Sequence, residues 1–532
     1  MELIHALLAA AKYAVVMILP LSTVFRSSWQ LTNGHLKALF IGSYRLAFHP
    51  LRGYPGPFIA KLTDAYGGYQ VKLKRLHLKA HSDLRKYGPV YRQGPNRLVF
   101  NTVAALRALN PAKQPIDNVS RFNPVPHVLG TVDPEPHRVK RSVYGRVLSS
   151  QSLQRFEPTM RAEVDVFLRK LLQAAEAGLV NMTPLCERLA SDIAVQLGFG
   201  VDLASQTESE NRILIDIFLH MNTIHSVYMA WPALRALNRI VMLLNMPKLL
   251  TAGRLLKNII KKRAAIEENA GRHDFWAIAS TSHRESDSTT YNSIEKSQVW
   301  AEALFFFPAG GQTTSCALSA AFFYLSRYPL VYARLAAEIR DAFSDASLIQ
   351  GGPQLLGCKY LRAVIDETLR MSPPTTVMPW REVDRHLSSK EPCVIDGHVV
   401  PGGTLVAISA YCLMHNEAYF PEPFAFRPER WLHDTDPDRL ARMGEAFIPF
   451  SFGDTMCLGK TMAYMEMSLV LAKTLWYFDF KQAPGESGKL GGGGPRGWDG
   501  GLRDRVDEFQ LYDAFVGEHN GPDLTFIPRK RF

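Results

Sequence analysis

Phe450-Ser-Phe-Gly453-Asp-Thr-Met-Cys457-Leu-Gly459 is the stretch on which the reading of this chain turns. It carries one cysteine on a loop that leads into an apolar helix, expected over 461–475. Phe450 and Gly453 precede the sulfur by seven and four residues, and Gly459 follows it by two. Glycines let a backbone bend tightly round a sulfur, so that amide N–H groups point at it. Amides aimed this way stabilise a thiolate, and a thiolate is a soft ligand for iron. An isolated cysteine is more often an inert small hydrophobe. Here the flanking pattern argues for a buried sulfur offered to a metal.

At 532 residues the chain is long enough to enclose a large cofactor. With 47% apolar, 11% aromatic and 21% charged residues its composition is globular. Six cysteines (Cys186, Cys316, Cys358, Cys393, Cys412, Cys457) are scattered, with no Cys-x-x-Cys pair. That argues against a disulfide framework or a zinc site and for a reducing compartment. The formal charge of +11 suits nucleic acid, anionic lipid or an acidic protein partner. No nucleic-acid signature and no basic stripe interleaved with aromatics is present, so no nucleic acid is expected; lipid and protein are. The basic run Arg254, Lys257, Lys261, Lys262, Arg263 reads as a solvated helix face.

Residues 3–25 are apolar apart from His5 and Lys12, close to the ~20 residues of a membrane-spanning helix. A cleaved signal fits less well, because Glu2 replaces the usual basic start and no small-x-small site follows. Arg26, Lys37 and Arg45 downstream favour a cytosolic body. Residues 35–48 form a second apolar stretch, expected along the membrane surface. The run His49-Pro-Leu-Arg-Gly-Tyr-Pro55-Gly-Pro57 is a stiff hinge. The expected organisation is an anchor over 1–26, a membrane-proximal segment and hinge over 27–57, and one catalytic body over 58–532.

Periodicity predicts helices over 153–177, 185–197, 212–228, 249–269, 298–328, 332–343, 360–371 and 459–475. Short strands are predicted at 90–92, 97–101, 393–395, 404–408 and 478–480, with a closing strand at 524–528. The glycine-rich 485–501 reads as a flexible loop. The fold class is mainly α with small β-sheets, an α+β architecture.

Four further segments carry chemistry. Phe305-Phe-Phe-Pro308-Ala-Gly310-Gly311-Gln312-Thr313-Thr314-Ser315 puts two glycines and a proline in an apolar helix, costing roughly 1 kcal/mol per glycine and more for proline. Such a defect invites a bulge, with room for another molecule at the backbone. Glu367 and Arg370 share a helix face. Phe426-Arg-Pro428-Glu429-Arg430-Trp431 follows them, and Pro379-Trp-Arg381-Glu lies between. His137-Arg-Val-Lys-Arg141 sets two basic groups one turn apart.

Taken in order, these segments resemble the cytochrome P-450 superfamily across nearly the whole chain. Its cysteine loop reads Phe-x-x-Gly-x-Arg-x-Cys-x-Gly, and every anchor is present except the arginine, here Thr455. The hinge looks fungal and microsomal. The resemblance implies haem b ligated by Cys457, with Phe450, Gly453 and Gly459 shaping the loop and Arg381, His137 and Arg141 binding propionates. It implies that Thr313 orients oxygen and its protonating water, and that Glu367, Arg370 and Arg430 brace the loop. Gln312 stands where the family carries an acid. An amide orients a water but does not exchange protons, so delivery is expected through Thr313, water, or Thr314 and Ser315.

The implied activity is monooxygenation: one atom of O2 inserted into a hydrophobic small molecule. Electrons would come from NADPH through a separate reductase, since no flavin or nicotinamide fingerprint is fused here. Members with such a hinge tailor terpenoids, alkaloids or polyketides, which implies secondary metabolism. The runner-up readings are an isomerase or dehydratase that does not use O2, and a non-catalytic haem protein. The implied location is the endoplasmic reticulum membrane, single-pass, with a cytosolic catalytic domain. Pocket walls are expected from 120–132, 215–231, 305–314, Met378, Pro379 and the turn near Phe515. Residues 240–250 are expected to dip into the bilayer.

Overall fold

The computed structural model describes residues 36–37, 39–109, 127–131, 133–266, 274–284, 296–384, 393–432 and 436–529. The anchor expected over 3–25 and most of the 120–132 loop lie outside them.

Eight helices position the site: α1 (Pro134–Val147), α2 (Ser150–Ala177), α3 (Met182–Phe199), α4 (Ile213–Ala230), α5 (Lys296–Phe306), α6 (Thr313–Arg327), α7 (Lys359–Met371) and α8 (Lys460–Tyr477). Their ends follow capping chemistry. Ser149 accepts from the Ser152 amide at the start of α2, and Asn181 from the Thr183 amide at the start of α3. Leu153, Phe156, Met160, Val164, Phe167, Leu168 and Leu171 bury one stripe of α2, at the spacing a helix requires. Nearly every side chain of α6 is buried, so it forms the centre of the core, with α3, α7 and α8 packed around it.

The helix predicted over 298–328 is α5 and α6 joined through a π-helical turn, Phe307–Gln312. The break falls on Pro308, Gly310 and Gly311, as the defect argument requires. Among the described residues one helix, Ser209–Ala230, is long and apolar enough to cross a membrane, but nearly half of its most apolar stretch is buried in protein.

Among the described residues nine short strands lie at the edges. β1 (Val90–Gly94), β2 (Arg97–Phe100), β7 (Leu405–Ile408) and β4 (Arg381–Glu382) form one sheet in that order, with Arg381 opposite Val406. β3 (Val180–Asn181), β9 (Asp523–Pro528) and β8 (Phe478–Gln482) form a second. β5 (Cys393–Ile395) and β6 (His398–Val400) make a hairpin turned by Asp396-Gly397, both with positive φ. The fold class is therefore mainly helical with small sheets, as expected.

The glycine-rich stretch is not the flexible loop expected. Gly493 and Gly494 donate to the Arg505 and Arg503 carbonyls at 3.0 and 2.9 Å. A Cβ on Gly493 would stand 2.3 Å from the Arg505 oxygen. Glycine here serves close backbone-on-backbone packing, which composition alone does not distinguish from disorder.

Candidate functional site

The cysteine loop closes on itself. The Cys457 amide donates to the Phe450 carbonyl at 2.8 Å and Met456 to Gly453 at 3.0 Å. Gly453 sits at φ +62°, where a side chain is strained. The amides of Gly459 and Lys460, at the N-terminus of α8, hydrogen-bond the sulfur. Cys457 itself is exposed, which corrects the expectation of a buried sulfur. Yet protein crowds round it: burial pushes the thiol pKa up, against the pull of those amides and of the Arg141 and Lys460 charges. The side chain is thus open by area while neighbouring protein still desolvates it.

Basic groups flank the cysteine loop. Arg381 is buried; its Nη2 donates to the Thr455 hydroxyl at 2.7 Å, and its guanidinium lies 4.5 Å from the Phe452 ring centre. Arg141 on α1 donates to the Met456 carbonyl at 2.9 Å. His137, one turn earlier, is held below its ordinary pKa by burial and by Arg141, while Asp454 on the loop opposes. The three basic residues singled out in the sequence thus converge on the cysteine loop from two different elements.

Glu367 on α7 lies at the centre of a buried ion network. Glu367 binds Arg370 through both carboxylate oxygens, each at 2.9 Å, and Arg430 Nε at 3.0 Å. The Trp431 indole at 3.0 Å and the Arg427 amide at 2.9 Å complete its partners. Burial alone would raise this carboxyl, but Arg370 and Arg430 win and hold its pKa down. Arg370 also donates to the Met414 and Pro423 carbonyls, which ties α7 to the segment leading to the loop. A buried carboxylate with this many donors is satisfied, unlike an exposed ion pair of the same spacing.

The α5–α6 helix carries the second group of expected site residues. Phe305, Ala309 and Thr313 follow one another at helical spacing and are only half buried, whereas Gln312, Thr314 and Ser315 are buried. The Thr313 hydroxyl donates to the Ala309 carbonyl at 2.6 Å. Ser315 donates back to the Gln312 carbonyl at 2.9 Å, which turns it away from the open stripe. The Gln312 amide oxygen accepts from Asn222 on α4. The glycines face α3 rather than the open stripe. A Cβ on Gly311 would lie 3.1 Å from Ser191, and one on Gly310 3.2 Å from Ala194. Their smallness admits a neighbouring helix, where the sequence led us to expect room for another molecule.

Sequence reasoning missed three groups. Glu302 on α5 pairs with Lys140 of α1 at 2.9 Å and accepts from the Tyr144 hydroxyl and the Val128 amide, both at 2.9 Å. A lone acid in an apolar helix was the available signal. His127 stacks on Phe305 at 4.5 Å and 10°, and burial lowers its pKa to about 4, so it is neutral. Asn222 had no signal beyond its place in an apolar helix.

The chain matches the cytochrome P450 family over residues 110–490. It is 31% identical over 516 residues to the cytochrome P450 monooxygenase AKT7 of Alternaria alternata, covering 93% of this chain and 95% of that one. It is 30% identical to the cytochrome P450 monooxygenase apf7 of Gibberella fujikuroi, covering 92% and 96%. The cytochrome P450 monooxygenase poxM of Penicillium oxalicum is also 30% identical, with 98% of both chains covered. Proteins of this family bind haem b through a cysteine thiolate, and their shared activity is monooxygenation, not the oxygen-independent or non-catalytic alternatives. An open sulfur under two amides, flanked by cations, fits that cofactor, and this chain belongs to the cytochrome P450 family as a haem-thiolate monooxygenase.

Proposed function

We propose that Cys457 is the axial ligand, that Arg381, Arg141 and His137 receive the haem propionates, and that Phe450, Gly453 and Gly459 shape the loop. The observation that carries this is the sulfur itself, open on one face, with the Gly459 and Lys460 amides and the Arg141 charge on the other. When bound, haem supplies O2 binding and reductive O–O cleavage, which thiolate donation favours. Glu367, Arg370 and Arg430 hold the loop in place from behind. Thr313, on the open stripe, positions oxygen and a protonating water; Gln312 orients that water through its amide. Phe305 and His127 form an aromatic wall above them, which suits a hydrophobic small molecule.

The substrate we propose is a lipophilic intermediate of secondary metabolism, a terpenoid, alkaloid or polyketide, with electrons from NADPH through a separate reductase. Membrane association is supported by two exposed apolar segments. Leu39, Phe40 and Phe48 are 70%, 76% and 72% exposed, and Leu243 and Leu244 are 68% and 76% exposed. Exposed apolar groups in such density mark a surface that something covers. With residues 3–25 as a single-pass anchor, the catalytic body over 58–532 would lie on the cytosolic face of the endoplasmic reticulum. The test is reconstitution with a reductase and NADPH: oxygen consumed in step with hydroxylated product supports the reading, and product formed without O2 refutes it.

A further inference from the structure

Monooxygenation consumes protons together with electrons, and position 312 holds an amide where a carboxyl would exchange them. The structure offers a substitute behind the oxygen helix. A cavity of about 330 Å³, open to solvent on one side, is lined by Lys74, Glu187, His220, Thr223, Glu518 and His519. Lys74 and the Thr223 hydroxyl, at 2.5 Å, both bind Glu518.

Two lines of residues run from this cavity to the helix that carries Gln312. On α4, Leu219 and Thr223 face the cavity and bracket Asn222, whose amide donates to Gln312. On α3, Ser191 lies one turn beyond Glu187 and against Gly311. Glu187 acts electrostatically on both Glu518 across the cavity and Cys316, one turn past Gln312 on α6. The second Gln312 amide atom, Nε2, is buried and finds no partner among the described residues. A buried donor left so is costly unless a water takes it, which marks a water position inside the helix.

We propose, resting on the monooxygenase reading above, that this cavity is the proton-uptake site and that Glu187 replaces the family's acid as the relay into the oxygen helix. The Glu187 carboxyl releases its proton to water held at Gln312 Nε2, from which it passes to the Thr313 hydroxyl. The resulting carboxylate is reprotonated by water in the cavity, and the electrons come from the reductase. Glu187 is thus a positioning and relay residue that does not touch substrate. Burial first, then Asp216 and Glu518, raise its pKa from 4.5 to about 7, against the pull of Arg188. Lys74, His220 and His519 complete the titratable groups facing it. Below that pKa the group holds a proton to give; above it the supply fails.

The test uses full-length holoenzyme with a fungal reductase, NADPH and farnesol as the lipophilic probe. Peroxide released per NADPH should rise in the native protein as pH passes about 7. In Glu187→Gln it should be raised by roughly tenfold at acid pH with no inflection, while Glu187→Asp restores the inflection. Infrared spectroscopy of the same proteins should show a protonated-carboxyl band lost near pH 7 in the native protein and weakened in Glu187→Gln, where Glu163 still titrates in that range. A native-like pH profile in Glu187→Gln, or an unchanged carboxyl band, overturns the relay. A thiolate-type carbon monoxide spectrum retained in every variant separates that failure from failure of the haem-thiolate reading.

Discussion

Arg381 reaches across from β4 to the Thr455 hydroxyl at 2.7 Å, and the same guanidinium nitrogen approaches the Phe452 carbonyl at 3.5 Å. The family pattern sets an arginine at 455. Here a threonine accepts from the neighbouring arginine instead, so one buried guanidinium is fixed against the loop where two would repel.

It follows that the two partners are unequal. Thr455→Ala removes one neutral acceptor and should cost about 1 kcal/mol of stability while leaving haem content near native. Arg381→Ala removes the charge proposed to meet a propionate and should lower the haem-to-protein ratio several-fold. Equal haem content in both variants would take Arg381 out of the haem site.

Glu367→Gln leaves Arg370 and Arg430 buried against a neutral group, which should destabilise the fold by about 3–5 kcal/mol. Its pH dependence has a definite sign. The folded pKa of Glu367 lies below its ordinary 4.5, so its contribution is present above that value and is lost as pH falls through the lower one. Thermal melts should show the native protein losing stability into the acid range more steeply than Glu367→Gln. Parallel curves would place the acid sensitivity elsewhere.

Thr313→Ala should uncouple turnover, raising peroxide released per product, because the hydroxyl now bonded to Ala309 is the polar group on the open stripe. Thr313→Ser, which keeps the hydroxyl, should stay close to native coupling. Coupling unchanged in Thr313→Ala would remove this residue from the proton route.

Gln312→Glu should keep or raise activity. A carboxylate oxygen accepts from Asn222 as the amide oxygen does, and adds a group that exchanges protons. A large loss would mean that the orphaned amide N–H has a role a carboxylate cannot fill.

Much of this arrangement was legible in the chain. The cysteine loop, the Glu367–Arg370 pair and the flawed helix at 307–312 are local patterns whose physics is local, and each appears where the residues put it, whereas the joining of Arg430 to that pair was implied by the family resemblance. Helices with strong apolar spacing were found to within a few residues. Leu76–Tyr87 was missed because it is mostly polar, with its buried face supplied by His77 and Asp83 as well as leucines. The two-residue strands β3 and β4 carry too few residues for a period to show. Glu302 with Lys140, and Glu187 with the cavity, depend on helices far apart in sequence coming together. No window of residues contains that information. The exposure of Cys457 was misjudged for a related reason: a loop can be desolvated by its surroundings while its sulfur stays open.

The most direct test of the central claim is the carbon monoxide difference spectrum of the dithionite-reduced, purified protein. With Cys457 as thiolate ligand, native protein should give the long-wavelength Soret maximum of a thiolate-bound haem, and Cys457→Ser should lose that maximum together with product formation. A Cys457→Ser protein that keeps both would contradict the account.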